Sequence, residues 1–273
     1  MSKGIIIAVP KKYEKTCLSN LINLRNLNCQ LPIEIWEIGN EISNEIKAEF
    51  EKIENIHFKN VNDYTKISSH WKGFQVKAFI LKFTTFKEVI LLDADVIVHQ
   101  NPELLLTDKN YIKTGTYFFK DLDKWQFHKL TNKFEQFKQL ISYNKFTSAS
   151  FFNKRKNWLR EILPKKKDIF PSEWDYIYSV EIPKEPVKEA LQESGVVYIN
   201  KEKHPDTIEN IYTLNKNHKE TYQYLWGDKE TFWIACVMTN KEFYFNPTSG
   251  YMSKETKRLS HDYNGKLFFS QKG

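Results

Sequence analysis

The chain has 273 residues, 41% of them hydrophobic, which supplies one sizeable core and excludes a disordered chain. Its net charge of +7 does not mark a nucleic-acid binder, because only four of the 41 basic residues are Arg, and forked recognition of bases and phosphates favours the opposite bias. No apolar run approaches the roughly eighteen residues needed to cross a bilayer, and three cysteines without a C-x-x-C pair cannot close a full disulfide set, so a soluble chain in a reducing compartment is expected.

In chain order, "GIIIAV" (4–9) predicts a buried first strand, stopped by Pro10. Tyr13, Cys17, Leu21 and Leu24 then recur at helical spacing. "IEIWEI" (33–38) predicts a second strand, "EISNEIKAEFEKI" (41–53) a second helix and "IHF" (56–58) a third strand. Within "HWKGFQVKAFILKFTTF" (70–86), Phe74, Lys77, Ala78 and Leu81 fall on one side of a helix that delivers the chain into the strand "EVILLDAD" (88–95). Strands alternating with helices imply a mostly parallel sheet with helices on its faces. The pattern then becomes irregular, with strand-like "TGTYFF", "SGVVYIN" and "EFYFN" among helical "HKLTNKFEQFKQLI" (128–141) and "DKETFWIACVM" (228–238). No linker divides the chain, so residues 1–106 and 107–273 are read as two halves of one domain. The densest basic run, "NKRKNWLREILPKKKD" (153–168), reads as a solvated face.

The strand of Val89, Ile90, Leu91 and Leu92 is fit for burial on both faces, yet it finishes in Asp93-Ala94-Asp95. Residues two apart in an extended segment point to one side, so both carboxylates can face one cation or the phosphates it holds. Such hard oxygen ligands suit Mg²⁺ or Mn²⁺, and in open α/β sheets ligands gather beyond the carboxyl ends of the strands. Asp-x-Asp alone is weak evidence, since a chain of this composition gives roughly 0.4 chance occurrences, and a second copy occurs at Asp121-Leu122-Asp123. Later, Glu193-Ser194-Gly195 reads as a turn leading into a strand. Gly227-Asp228-Lys229-Glu230 opens a helix, with Asp228 as its N-cap.

Three ordered stretches, "KAFILKFTTFKEVILLDADVIVHQNPELLL", "QESGVVYINKEKH" and "YQYLWGDKETFWIAC", supported by "LPIEIWEIG" and "TGTYFFKDL", resemble the fungal alpha-mannosyltransferase family typified by the Golgi alpha-1,3-mannosyltransferases. The likeness spans most of the chain, and glycogenin-type retaining glycosyltransferases are more distantly similar. It implies a GT-A fold: a Rossmann-like nucleotide-binding half with a mostly parallel central sheet, fused to an acceptor-binding half. It implies Mn²⁺ or Mg²⁺, a GDP- or UDP-sugar donor, and a glycan or glycoprotein acceptor, with transfer of mannose or another hexose and retention of configuration. Carried over by position, Asp93 and Asp95 are metal ligands with His261 as the third. Ala8, Pro10, Tyr13, Lys77, Asp93, Ala94, Asp95, Ser194, Gly195 and Gly227 line the donor site, and Asp228 and Glu193 are catalytic. Golgi relatives are lumenal and anchored, so the alternative to a soluble cytoplasmic enzyme is a domain of a longer anchored protein. A non-catalytic nucleotide- or glycan-binding module of the same fold is the second reading, and a metal-dependent nucleic-acid enzyme the third.

Overall fold

The computed structural model describes residues 2–122, 192–222 and 227–272. Its opening alternates strand and helix as the periodicity predicts: β1 (Lys3–Ala8), α1 (Glu14–Asn26), β2 (Ile33–Glu37), α2 (Asn44–Phe50), β3 (Ile56–Asn60), α3 (Val76–Phe83) and β4 (Glu88–Asp93). These four strands are parallel in the order β3-β2-β1-β4, with Ile5, Ile6 and Ile7 in register with Ile90, Leu91 and Leu92. Alternate side chains face opposite layers. Ile5, Ile7, Ile90 and Leu92 pack with Cys17, Leu21 and Leu24 of α1, whereas Ile6, Val89 and Leu91 pack with Phe79 and Ile80 of α3. Cover on both faces explains why β1 and β4 are apolar without alternation.

The chain continues through β5 (Ile97–Val98), α4 (Lys109–Thr114), β6 (Thr116–Leu122), β7 (Gln192–Asn200), α5 (Pro205–Lys216), α6 (His218–Thr221), α7 (Thr231–Met238), β8 (Phe245–Met252), β9 (Arg258–Tyr263) and β10 (Lys266–Lys272). Ten strands form one sheet in the order β3-β2-β1-β4-β7-β6-β8-β9-β10-β5. Strand β7 lies antiparallel between β4 and β6, so the parallel sheet of the first half continues as a mixed one. Helices α5 and α7 join α3 on one face, burying Ile208, Ile211, Phe232 and Ile234.

Three local expectations are corrected. Phe74 does not share the buried side of α3: the helix begins at Val76, and Phe74 is 63% exposed. Glu193, Ser194 and Gly195 are not a turn but lie inside β7, fully buried, where the β6–β7 register shifts between Tyr117 and Phe119. In "EFYFN" only the last two residues enter a strand, because the apolar Phe243 ring packs against Phe118 and Trp233 instead of marking a ladder. The helical reading of 128–141 and the basic run 153–168 lie outside the described residues. Cys17, Cys29 and Cys236 are buried and form no disulfide. Among the described residues no helix is long and apolar enough to cross a membrane.

Candidate active site

Strand β4 delivers Asp93 to the carboxyl edge of the parallel sheet, directly opposite Ala8 of β1. The chain then turns, with Val96 N–H donating to the Asp93 carbonyl at 3.1 Å, so Asp95 sits in a turn rather than two residues along an extended strand. The two carboxylates therefore do not share a side through strand alternation. Ala94 is 5% exposed, and its carbonyl accepts from Asn20 Nδ2 at 3.2 Å, which pins the turn to α1.

Helix α3 drives Lys77 into the same region. Its Nζ lies 2.9 and 3.0 Å from the two Asp93 carboxylate oxygens, 3.0 Å from Ser194 Oγ and 3.2 Å from the Ser194 carbonyl. It also lies 3.1 Å from Asp228 Oδ2, an ion pair without hydrogen-bond alignment. Lys77 is 6% exposed. Burial favours its neutral form, but the charges of Asp228 and Asp93 overcome this and hold the ammonium above its ordinary range. The side chain expected to face the donor diphosphate is thus already engaged by two carboxylates and β7. Burial pushes Asp93 up to about 6, against the pull of Lys77.

A second lysine organises the other half of the centre. Lys229 Nζ lies 2.6 Å from Asp121 Oδ2 and 3.1 Å from Glu193 Oε2. Glu193 Oε1 accepts the Gly195 N–H at 2.7 Å. Burial alone would raise Glu193, but Lys229, the Gln271 side chain and the Gly195 N–H together keep it below its ordinary value, hence ionised. Asp121 is raised by burial and by the Glu193 charge, against Lys229. The two lysine centres meet through chain neighbours: Glu193 and Ser194 on β7, Asp228 and Lys229 in the turn before α7. Asp228 is not the N-cap expected, because Glu230 occupies that position; the Asp228 carbonyl accepts from Thr231 N at 3.0 Å and Oγ1 at 2.6 Å while its carboxylate turns to Lys77. Glu230 is 2% exposed with neither carboxyl oxygen hydrogen-bonded, and burial pushes it up to about 8.

Sequence reasoning missed Lys229, Asp121, Gln271 and Glu230 as members of the centre. Lys229 and Glu230 sat inside a stretch already singled out, and Asp121 opened the second Asp-x-Asp, whose Asp123 lies outside the described residues. Gln271 carried no signal, since only the β9–β10 hairpin brings it near β7.

His261, on β9, is completely buried against the Phe269 ring, with centroids 4.4 Å apart, and both ring nitrogens lack a hydrogen-bond partner. Burial lowers it to about 4, so it is neutral at physiological pH, the form that ligates metals. The Asp95 carbonyl accepts from Arg258 Nη2 at 3.0 Å, while its carboxylate has no partner among the described residues. Among those residues no three His, Cys, Asp or Glu side chains are gathered to hold a metal ion, so Asp93, Asp95 and His261 are not a preassembled triad. By donor chemistry alone, the Asp95 carboxylate and the neutral His261 imidazole each suit a divalent cation whose shell is completed largely by phosphates. Pro10 and Tyr13 form the turn after β1, with the Tyr13 N–H donating to the Pro10 carbonyl at 2.9 Å.

A parallel half-sheet ending in an Asp-x-Asp turn, extended by a mixed half that brings further carboxylates to it, is the α/β architecture expected of a GT-A fold. The chain belongs to the family described as "Mannosyltransferase putative", whose profile matches residues 2–268. It is 26% identical to "Putative alpha-1,3-mannosyltransferase MNN15" of Candida albicans, over 89% of this chain and 34% of that protein. It is 27% identical to "Alpha-1,2-mannosyltransferase MNN23" of the same organism, over 94% of this chain and 44% of that protein. The chain therefore spans only about a third to under a half of the length of these relatives. Among solved structures it is similar in outline to the galactosyltransferase LgtC in complex with donor and acceptor sugar analogs, at 14% identity and a TM-score of 0.47, over 89% of this chain and 72% of that one.

Proposed function

We propose that the chain transfers a hexosyl group, mannose or another, from a GDP- or UDP-sugar to a hydroxyl of a glycan or glycoprotein, with retention of configuration and with Mn²⁺ or Mg²⁺ on the donor diphosphate. One observation carries this reading. Four carboxylates, those of Asp93, Asp121, Glu193 and Asp228, are packed around two ammonium groups, those of Lys77 and Lys229. A dry site with more carboxylates than cations favours a ligand that brings or develops positive charge, as a glycosyl centre does while its bond to the leaving oxygen breaks.

In this reading Glu193, kept ionised by Lys229, faces that developing charge, Asp228 orients the acceptor hydroxyl, and Lys77 fixes the Asp93 carboxylate. Ala8, Pro10 and Tyr13 border the nucleotide, and Ser194, Gly195 and Gly227 border the donor sugar. Asp95 would hold the divalent ion with Asp93 and His261 as further ligands. The ion, when bound, supplies Lewis-acid neutralisation of the charge on the leaving diphosphate. The family membership supports mannose as the first donor sugar to try.

The test is thermal unfolding with GDP or UDP in the presence and absence of Mn²⁺, followed by a panel of nucleotide sugars scored for metal-dependent donor hydrolysis. Nucleotide plus Mn²⁺ is expected to raise Tm, and Asp95→Ala to abolish the metal-dependent part. No shift with either nucleotide at saturating metal refutes the reading.

A further inference from the structure

The loop between β3 and α3 carries three of the eight exposed large hydrophobic side chains among the described residues, Tyr64, Ile67 and Phe74, of which Phe74 is the most exposed at 63%. Tyr64 is accounted for by its ring contacts with Trp36 and Phe83, at centroid distances of 5.2 and 5.4 Å. Phe74 has no ring partner among the described residues, yet its backbone is firmly placed. On one side Gly73 holds a left-handed conformation, φ 116°, that a side chain would strain. On the other, the 5%-exposed Gln75 donates from Nε2 to the carbonyls of His70 at 2.8 Å and Lys72 at 2.7 Å. The Phe74 carbonyl accepts from Lys77 N–H at 3.2 Å, so the Phe74 backbone lies one turn before the residue whose ammonium binds Asp93 and Asp228.

The ring also reaches the second half of the molecule. A β-carbon built on Gly227, which has φ 70°, would lie 3.4 Å from Phe74 Cδ2. Glycine at that point leaves the ring free to lean against the turn one residue before Asp228. An apolar ring that is exposed, fixed by its backbone and set at the lip of a carboxylate-rich centre has the placement of a binding anchor, since packing cannot account for it.

We propose that Phe74 is a specificity-determining residue on which the C–H face of the acceptor's pyranose ring stacks, presenting a hydroxyl to Asp228. This rests on the glycosyl-transfer reading above. The acceptor is favoured over the donor nucleotide by position: Ala8, Pro10 and Tyr13, which border the nucleotide in that reading, follow β1, whereas Phe74 abuts Gly227, where that reading brings the donor sugar up to Asp228 and so to the attacking hydroxyl.

Ligand-observed saturation-transfer NMR tests this without requiring turnover. The probe is methyl α-D-mannopyranoside, added to the full chain with GDP and Mn²⁺ present. Saturation transfer to the sugar's ring protons is expected with the wild type. Phe74→Ala should weaken the sugar's binding by roughly five- to tenfold, and Phe74→Trp should restore it. The thermal shift produced by GDP and Mn²⁺ should survive Phe74→Ala, which also shows that the variant is folded. Sugar binding unchanged in Phe74→Ala overturns the inference, as does loss of the nucleotide shift, which would assign the ring to the donor. Absence of a wild-type sugar signal overturns it too, whatever the hydrolysis panel shows. Failure of that panel with the sugar signal intact would instead overturn transfer while leaving the Phe74 platform standing.

Discussion

At the scale of single residues, the centre is governed by what burial does to ionisation. Glu193 and Glu230 are both 2% exposed, yet they are shifted in opposite directions. Glu193 has a lysine, a glutamine and a backbone N–H to support its charge, whereas neither oxygen of Glu230 has a hydrogen bond. In the unfolded chain Glu230 titrates near 4.5, and in the fold burial pushes it up to about 8. Between those values the native chain retains a proton that the unfolded chain has lost, so stability falls as pH rises from about 4.5 to about 8 and is level outside that window. The loss across the window is on the order of a few kcal/mol. Asp93 contributes with the same sign between 3.8 and about 6, and His261 with the opposite sign, stability falling as pH drops from 6.5 towards about 4. Glu230→Gln keeps the shape and removes the titration. Its urea midpoint should exceed that of the wild type at pH 8, with the gap closing at pH 5. A gap independent of pH would show that another group titrates. None of this was legible beforehand, because a carboxylate's neighbours across the fold decide its pKa.

At the scale of elements, β1 and β4 were legible because two-sided burial leaves unbroken apolar runs, and helical spacing in Cys17, Leu21 and Leu24 marks the helix after β1. The later elements were less so. Strand β7 opens with Gln192 and then Glu193-Ser194-Gly195, which reads as a turn until Lys77, Lys229 and the Gly195 N–H are seen to satisfy Glu193 and Ser194. A short amphipathic count likewise placed Phe74 on α3, although Gly73 and Gln75 already hinted at a break. The strand signal at β1 has its own local condition. A β-carbon on Gly4 would fall 2.2 to 2.4 Å from the Phe86 ring, which crosses the strand and is 8% exposed. Unlike a flexible chain end, a buried ring cannot yield cheaply, so Gly4→Ala should destabilise by about 1–3 kcal/mol through overpacking. Denaturant titration measures this, and Phe86→Leu in the Gly4→Ala background should cost less than the two separate changes summed. An Ala at position 4 without effect would mean that the ring is free to move aside.

At the scale of the whole molecule, the two halves are joined by hydrogen bonding rather than by mere apposition. Strand β7 pairs with β4 from Glu88↔Asn200 to Leu92↔Val196 and with β6 on its other edge. The short β5, which follows the Asp93 turn, crosses to pair with β10 at the far end of the sheet. Lys77 from one half and Asp228 from the other close the centre across that seam. Unfolding either half alone would expose the edge of β4 or β7, strip apolar surface from the layer shared by α3, α5 and α7, and leave buried charges unpaired. The halves should therefore unfold together. Urea denaturation followed by tryptophan fluorescence, in variants that keep only the buried Trp36 and Trp71 of the first half or only Trp233 of the second, with Phe at the other tryptophans, should coincide with loss of far-UV circular dichroism. Nucleotide with Mn²⁺ should move every probe's midpoint by the same amount, since ligand free energy is distributed over the whole cooperative unit. Separate midpoints, or stabilisation seen by only one probe, would show that the seam through β7 does not couple the halves.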